Sequence, residues 1–382
     1  MDSFAGTLLT LVPPSQGAAA RSEAGGLWIL ILCRDFDNCK LATTPTASRS
    51  PDGTGMPVPY RGHEGECKGD SMKTKQETIL EIHDLSVSFR MYDSTLEQKE
   101  LQVISDLSLT VRPGEIVAIA GSSGSGKSLL ASAILGILPS NATVKGHLHY
   151  KEEELTPARQ AELRGTEIAL VPQSVAFMDP LMQVGRQADG HKKPYPTEKR
   201  RGLFRRFQLP ERTERLYPFQ LSGGMARRVL VSTALLTDAQ LVIADEPTPG
   251  MSLEQAREAL KMFREMADEG RSVILITHDI DLAFDFADRI AVFYAGTTVE
   301  TALAEDFRKG PDALRHPYSK ALWRALPQND FTPIPGFQPY AGSLPEGCLF
   351  APRCPYCTEE CRRSTPPMRE LRDGEVRCFH AT

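Results

Sequence analysis

The sequence predicts an α/β fold built around a buried, largely parallel sheet. Three observations predict it: short apolar runs bounded by turn residues recur along the middle of the chain, helical patterns separate them, and a glycine-rich segment directly follows one run. With 382 residues, 41% of them hydrophobic, the chain can bury a sizeable core, in one large domain with appendages or in two modest domains.

Net charge and hydropathy argue against a strongly basic nucleic-acid binder and against a membrane-spanning chain. The formal net charge of −5 argues against a nucleic-acid binder that acts through overall positive charge, although a local basic patch stays open. The longest uncharged apolar run, GGLWILILC at 25–33, falls far short of the roughly 20 residues that a spanning helix needs. We therefore expect a globular chain that does not cross a membrane.

The first 71 residues read differently from the rest. They are rich in Gly, Pro, Ser and Thr without a sustained period, so 1–71 is predicted to be disordered or not part of the native protein. Lys68 and Gly69 can be encoded by a purine-rich stretch at the distance of a bacterial ribosome-binding site, which makes Met72 a candidate start instead of Met1. The gene sequence and the N-terminal mass test this. A signal peptide is disfavoured because its basic start is missing.

From Ile79 the pattern alternates. ILEIHDLSVSF and LQVISDLSLTV predict an antiparallel hairpin, and EIVAIA (115–120) predicts a buried strand that enters a glycine loop and an apolar helix. Further parallel core strands are expected at EIALVP, QLVIADE and SVILITHD, with helices such as LEQAREALKMFREMADEG between them. We place this main domain at 72–308. Beyond about 310 the regularity fades into a Pro- and Cys-rich extension, 309–382.

GSSGSGKS fits the phosphate-loop pattern G-x-x-x-x-G-K-[ST] between a strand and a helix. Glycines let successive backbone N–H groups turn toward a β-phosphate, the lysine adds positive charge, and the last serine offers a hydroxyl to Mg²⁺. A flexible linker is the alternative, disfavoured because linkers are not flanked by buried elements. The residues are Gly121, Ser122, Ser123, Gly124, Ser125, Gly126, Lys127 and Ser128.

Polar residues follow three of the predicted strands. Asp245 and Glu246 end QLVIADE, and we assign the first to the metal through water and the second to general-base catalysis. Alone, such a pair is more often a helix cap or turn. His278 is expected to reach toward a γ-phosphate, and Gln173 to ligate the metal or the water; alone, each is more often structural.

Taken in order, GSSGSGKS, Gln173, LSGGM, LVIADEP and His278 resemble the ATP-binding cassette (ABC) family over about 79–300. The resemblance implies a P-loop NTPase with a RecA-like core, an antiparallel β subdomain and a helical signature subdomain at about 174–235. It also implies ATP and Mg²⁺ as ligands, and ATP hydrolysis. Two alternatives are weaker: a P-loop kinase is opposed by LSGG, and a soluble ABC ATPase acting on nucleic acid or ribosomes usually has a second cassette or a long coiled coil.

In this family LSGG belongs to a second cassette's site. The resemblance implies a head-to-tail dimer in which Ser222, Gly223 and Gly224 present a helix N-terminus to the γ-phosphate on the partner's loop. An ordinary N-cap at Ser222 is the local reading, and it does not exclude the other role. Phe89 matches the position that stacks on adenine. The alternatives are a plain core residue at Phe89 and stacking by Tyr92.

Three features depart from the family pattern or add to it. Ser252 stands where the D-loop usually has Asp, and Arg227 where Gln is usual. A basic stretch at 191–208 falls in the helical subdomain, which docks membrane subunits in this family; contact with acidic loops or lipid headgroups and a solvated helix face are both open. The basic residues are Lys192, Lys193, Lys199, Arg200, Arg201, Arg205 and Arg206.

The extension carries a second resemblance. HPYSKAL (316–322) and the cysteine-rich run that follows look like the tail of ATP-binding subunits of dipeptide, oligopeptide and nickel importers. That likeness implies a [4Fe-4S] cluster on four thiolates, with Cys357 as an extra cysteine. Zinc would suit the same sulfurs, and reduced, unligated cysteines are the alternative. The four are Cys348, Cys354, Cys361 and Cys378.

Together the two resemblances imply the energising subunit of a bacterial ABC importer for dipeptides, oligopeptides or nickel. Its expected place is the cytoplasmic face of the inner membrane. Its expected partners are a second ABC ATPase, identical or related, two transmembrane permeases and, indirectly, an extracytoplasmic substrate-binding protein. No nucleic acid is expected.

Overall fold

The computed structural model describes residues 77–92, 97–122, 124–189 and 197–382. The predictions for 1–71 and for a start at Met72 lie outside this part of the chain, as do Ser123, Lys192 and Lys193. Within the described ranges, no helix combines the length and apolarity that a bilayer crossing requires.

Twelve strands are described. They are β1 (Leu80–Tyr92), β2 (Gln98–Val111), β3 (Ile116–Gly121), β4 (Ala142–Tyr150), β5 (Glu153–Glu154), β6 (Ile168–Val171), β7 (Leu241–Asp245), β8 (Ser272–Ile276), β9 (Arg289–Tyr294), β10 (Thr297–Leu303), β11 (Arg369–Leu371) and β12 (Gly374–Val376).

Ten α-helices are described in addition to short 3-10 helices. They are α1 (Lys127–Leu135), α2 (Pro157–Leu163), α3 (Val184–Ala188), α4 (Thr197–Arg206), α5 (Gly223–Leu236), α6 (Leu253–Asp268), α7 (Ile280–Phe286), α8 (Ala304–Lys309), α9 (Pro317–Arg324) and α10 (Glu359–Arg363). Helices α3, α4 and α5 fall in or across the interval predicted for the helical subdomain.

The main sheet has eight strands in the order β11-β12-β10-β9-β3-β8-β7-β6. Its centre, from β9 through β3, β8 and β7 to β6, is parallel, which confirms the predicted core strands. Alternate residues of β3 enter two separate cores: Ala118 and Ala120 pack on one face, Val117 and Ile119 on the other. Both faces are therefore covered, which is why these strands read as continuous apolar runs.

A smaller antiparallel sheet, β2-β1-β4-β5, packs against α1. Strands β1 and β2 pair antiparallel from Leu80 opposite Val111 to Tyr92 opposite Gln98, so the predicted hairpin is confirmed. Apolar side chains of this sheet, such as Leu80 and Val87, are fully buried with Leu130 of α1. The sheet is thus fixed against the helix that follows the phosphate loop.

The C-terminal extension is joined to the main sheet. Strand β12 pairs antiparallel with β10, and β11 pairs with β12, so two strands of the extension complete one edge. Arg315, 2% exposed, lies between Glu300 at 3.4 Å and Asp306 at 3.0 Å, and a buried charge of this kind needs such partners. The sequence pattern indicated only irregular chain here.

His316 caps α9 near the start of the extension, and its burial predicts that the free energy of unfolding depends on pH. It is 1% exposed, and its Nδ1 accepts a hydrogen bond from the Tyr318 amide at 3.0 Å. Burial lowers its pKa from 6.5 to about 3, so the folded state keeps the ring neutral while the unfolded chain takes up a proton. This stabilisation is complete above the unfolded pKa and is lost as the pH falls, by about 2 kcal/mol at pH 5.

The measurement is urea unfolding of the wild type and of His316→Asn between pH 7.5 and pH 5. Asparagine keeps a capping acceptor but cannot titrate. We expect the wild type to lose about 2 kcal/mol more of its unfolding free energy than the variant over this range. Equal losses in the two proteins would contradict a buried neutral His316.

Candidate active site

The phosphate loop connects β3 to α1. At Gly121 a Cβ atom would lie 2.4 Å from the carbonyl oxygen of Phe293 in β9, so only glycine fits where the strands approach. Gly126 caps α1 with a φ of 91°, a conformation that glycine adopts without strain. The loop thus brings backbone N–H groups to the start of α1, where an anion is favoured.

Lys127 folds back over this loop. Its ammonium donates hydrogen bonds to the carbonyl oxygens of Gly121 and Ser122, both at 2.9 Å. Burial lowers the pKa of Lys127, while the carboxylates of Glu246 and Asp245 oppose that shift. The ammonium therefore lies between the loop and two acidic groups at the end of β7.

Asp245 ends β7 and is 6% exposed. Burial raises its pKa, and a hydrogen bond with Ser128 opposes the rise. Its Oδ1 accepts no hydrogen bond from any residue in the described part of the chain. A buried carboxylate oxygen without a donor, beside a serine hydroxyl, is a donor set that suits Mg²⁺ with its waters.

Three residues predicted from separate strand ends come together around the Glu246 carboxylate. Gln173 donates from Nε2 to Glu246 Oε2 at 3.0 Å, and His278 Nδ1 lies 3.4 Å from Glu246 Oε1. Glu246 also has a φ of 46°, which is uncommon for a residue with a side chain. Backbone outliers of this kind cluster at functional sites, and here the backbone turns between β7 and the next segment.

Arg227 is a residue of this region whose role the sequence did not reveal. From α5 it donates to the carbonyl oxygens of Pro172, at 2.8 Å, and of Gln173. Burial lowers the pKa of Arg227, and the carboxylates of Glu246 and Asp245 oppose the shift. Arg227 thus ties the segment that carries Gln173 to the helix of the LSGG motif. The only sign of this role in the sequence is that Arg227 stands where the family usually has glutamine.

The LSGG motif opens α5. Ser222 is the N-cap, and its Oγ accepts from the Met225 amide at 3.3 Å, so the local capping role is present. A Cβ atom on Gly224 would meet the carbonyl oxygen of Gly250 at 2.7 Å, so this glycine packs against the segment after Glu246. Ser252, the D-loop departure, caps α6 by accepting from the Gln255 amide at 3.3 Å.

The two candidates for base stacking differ in exposure. Phe89 is 8% exposed and packs within the core beneath the small sheet, opposite Leu101. Tyr92 is 65% exposed, and its hydroxyl accepts a hydrogen bond from Gln98 at 2.8 Å. Stacking by Phe89 stays a prediction, and Tyr92 is the more accessible ring.

The described basic residues of the stretch, from Lys199 onward, lie beside carboxylates of the same chain. Arg200 is buried between Asp189 and Glu214, and Arg206 bonds Glu258 and Glu265 across the gap to α6. The other described members of the stretch also lie within 4.0 Å of carboxylates: Lys199 of Asp238, Arg201 of Glu214 and Glu198, and Arg205 of Glu198. Of these contacts, those of Arg206 join the helical subdomain to α6, whereas those of Arg200, Arg201 and Arg205 lie within the subdomain.

The cysteines of the extension are all free thiols. Burial raises the pKa of Cys348 to about 11. Among the residues described, however, no three His, Cys, Asp or Glu side chains converge as a metal site requires. The donor types suit iron–sulfur or zinc chemistry, but this arrangement does not assemble the predicted site.

Comparison with known proteins follows the same division of the chain. Residues 104–249 match the family model described as ABC transporter, and residues 299–361 match the one described as oligopeptide/dipeptide transporter, C-terminal region. Among solved structures, a dimeric ATP-binding cassette in a post-hydrolysis state with ADP and Pi superposes with a TM-score of 0.52 at 23% identity. It covers 59% of this chain and 98% of that one, which shows the fold.

Full-length relatives extend the match to both regions. The oligopeptide transport ATP-binding protein OppD of Salmonella typhimurium is 34% identical over 321 residues, covering 79% of this chain and 93% of the relative. The dipeptide transport ATP-binding protein DppD of Escherichia coli is 34% identical over 322 residues, covering 79% and 96%. The phosphate loop, the carboxylate pair and the LSGG helix are thus those of an ABC ATPase, and the chain belongs to the family of ABC transporter ATP-binding subunits.

Proposed function

We propose that this chain is the ATP-hydrolysing subunit of a bacterial importer for dipeptides or oligopeptides, with nickel as the second cargo class. The observation that carries the proposal is that Gln173 and His278 both contact the carboxylate of Glu246 beside the phosphate loop. The match of 299–361 to the oligopeptide/dipeptide transporter region, and peptide import ATP-binding relatives at 33–34% identity, support the cargo class.

In the proposed mode of phosphate binding, Lys127 exchanges its backbone hydrogen-bond acceptors for phosphate oxygens. Its ammonium releases the carbonyl oxygens of Gly121 and Ser122 and binds the β- and γ-phosphate oxygens. The loop's backbone N–H groups and the start of α1 surround the β-phosphate. Ser128 and Asp245 would hold Mg²⁺, which neutralises charge on the phosphates when bound. The unpartnered Asp245 Oδ1 supports this assignment.

Glu246 is proposed as the general base. Gln173 and His278 contact different oxygens of its carboxylate, so the side chain is held in one orientation from two sides. One of these oxygens accepts the proton of a water as that water attacks the γ-phosphate. Gln173 and His278 then serve to place the water and the γ-phosphate in line. The strained backbone at Glu246 belongs to the same fixed arrangement.

The second half of each site is proposed to come from a partner cassette, identical or related. Ser222, Gly223 and Gly224 begin α5, and a helix N-terminus stabilises negative charge. Presented to the partner's γ-phosphate, it completes a site whose charge one subunit alone would leave open to water. Two dimeric structures of one ATP-binding cassette share this fold, with TM-scores of 0.52 at 22–23% identity.

The remaining proposed partners are two transmembrane permeases at the cytoplasmic face of the inner membrane and, indirectly, a substrate-binding protein. The test is expression of the whole operon with an affinity tag on this chain. We expect two permeases to co-purify in detergent, and ATP turnover in liposomes to rise when the binding protein and a peptide are added. Co-purification with ribosomes or nucleic acid in place of permeases would overturn the proposal.

The four-cysteine site stays a prediction, with a direct assay. We expect anaerobically purified protein to contain either about four irons with a visible absorption band or about one zinc per chain. Cys361→Ser should remove the metal, while Cys357→Ser, at the extra cysteine, should retain it. Absence of both metals from the wild type at stoichiometric level would eliminate the site and leave the thiols reduced and unligated.

A further inference from the structure

The C-terminal extension contacts the phosphate loop directly. The hydroxyl of Ser122 donates a hydrogen bond to Oε1 of Gln338, joining residues 216 positions apart. Tyr318, which is buried, lies close enough to Ser122 for this serine to oppose the rise in the Tyr318 pKa that burial causes. Two separate segments of the extension therefore reach the same residue of the loop.

Arg353 holds the segment that carries Gln338. Arg353 donates from Nε to the carbonyl oxygen of Pro335 at 2.7 Å and from a terminal nitrogen to that of Ile334 at 3.1 Å. The same guanidinium donates to the Tyr294 hydroxyl at 3.3 Å and lies 5.8 Å from the centre of that ring. Because Tyr294 ends β9, beside β3, the segment is anchored on the sheet that also supports the phosphate loop.

The far end of this segment passes close to the small sheet. A Cβ atom on Gly342 would lie 3.6 Å from Cδ1 of Leu101 in β2, the residue that pairs with Phe89. The chain from Gln338 to Gly342 thus runs from the phosphate loop toward the small sheet. The hydrogen bonds from Arg353 hold the start of the segment three residues before Gln338 and so limit how far Gln338 can withdraw from Ser122.

We infer that Gln338 is a positioning residue of the nucleotide site, which holds the phosphate loop through Ser122 before a nucleotide arrives. The inference rests on the proposed ATP site. Gln338 accepts from the serine hydroxyl and not from a backbone N–H group of the loop. A loop already held in its binding conformation loses less conformational entropy on binding, and removal of the hold should weaken binding. The extension, which the cassette match does not include, thereby takes part in ATP binding.

The experiment compares two ligands on the full chain. Gln338→Met keeps the length of the side chain and removes the acceptor. Calorimetric Kd values are measured for Mg-ATP and for Mg-tripolyphosphate, which lacks the adenosine. Loss of one hydrogen bond should raise both Kd values by about two- to tenfold and by the same factor, since the effect acts through the phosphate loop. Phe337→Ala is the matched control on the same segment, because Phe337 is 94% exposed.

A double-mutant cycle separates positioning from general damage. Ser122→Ala removes the donor, so adding Gln338→Met to it should weaken binding no further, whereas independent effects would multiply. Unchanged or tighter binding by Gln338→Met, multiplied effects in the double variant, or a loss confined to ATP would each overturn the inference. If the wild type bound neither ligand, the proposed ATP site itself would be wrong. The other outcomes overturn only the role of Gln338, so the two cases can be told apart.

Discussion

Glu246→Gln is expected to lower ATP turnover by roughly 10²- to 10⁴-fold while leaving ATP binding intact. Glutamine has nearly the same shape and can still contact Gln173 and His278, but it cannot accept the proton of the attacking water. Because ATP would then persist between the two halves of the site, the variant should accumulate as an ATP-bound dimer. Single-turnover hydrolysis and size-exclusion chromatography with ATP and Mg²⁺ measure the two effects.

Glu254→Gln is the matched control for this prediction. Glu254 is an exposed carboxylate in the first turn of α6, a few residues beyond Glu246, so it tests the loss of one negative charge nearby. We expect its turnover to stay within about twofold of the wild type, as for surface substitutions away from special features. Wild-type turnover in Glu246→Gln within the assembled transporter would assign the base to another residue.

The core strands and the motif residues could be predicted because their signals are local. Strands β3, β6, β7 and β8 are continuous apolar runs, and parallel strands that end in polar residues place those residues at one edge of the sheet. That reasoning predicts one site for Gln173, Glu246 and His278, and in the structure Gln173 and His278 both contact Glu246. No spacing in the sequence, however, indicates that both other residues meet the same carboxylate.

What escaped prediction depends on partners far along the chain. Strands β11 and β12 have three residues each, too few for a periodic signal; β12 pairs with β10, which precedes it by more than 70 positions, and β11 pairs with β12. The pairing of Arg206 has no local signal because Glu258 and Glu265 lie more than 50 positions away. The same holds for Arg227, whose acceptors are 54 and 55 positions earlier.

Lys127→Ala is expected to raise the Kd for Mg-ATP by about tenfold to a hundredfold. This is the effect of losing one strong charge-assisted hydrogen bond to phosphate. The substitution also removes the positive charge that faces Asp245 and Glu246, so two carboxylates are left beside an incoming triphosphate. Both effects oppose binding. Equilibrium titration with a fluorescent ATP analogue measures the change in Kd.

Lys145→Ala, on the exposed surface of β4, is the control that removes one lysine from the same subunit without touching the loop, and its Kd should stay within about twofold. Together with Glu246→Gln, Lys127→Ala divides the site by function: one variant should bind ATP without cleaving it, and the other should fail at binding. Tight binding by Lys127→Ala would mean that the phosphates lie elsewhere. The convergence around Glu246 would then be a structural hydrogen-bond cluster instead of a catalytic one.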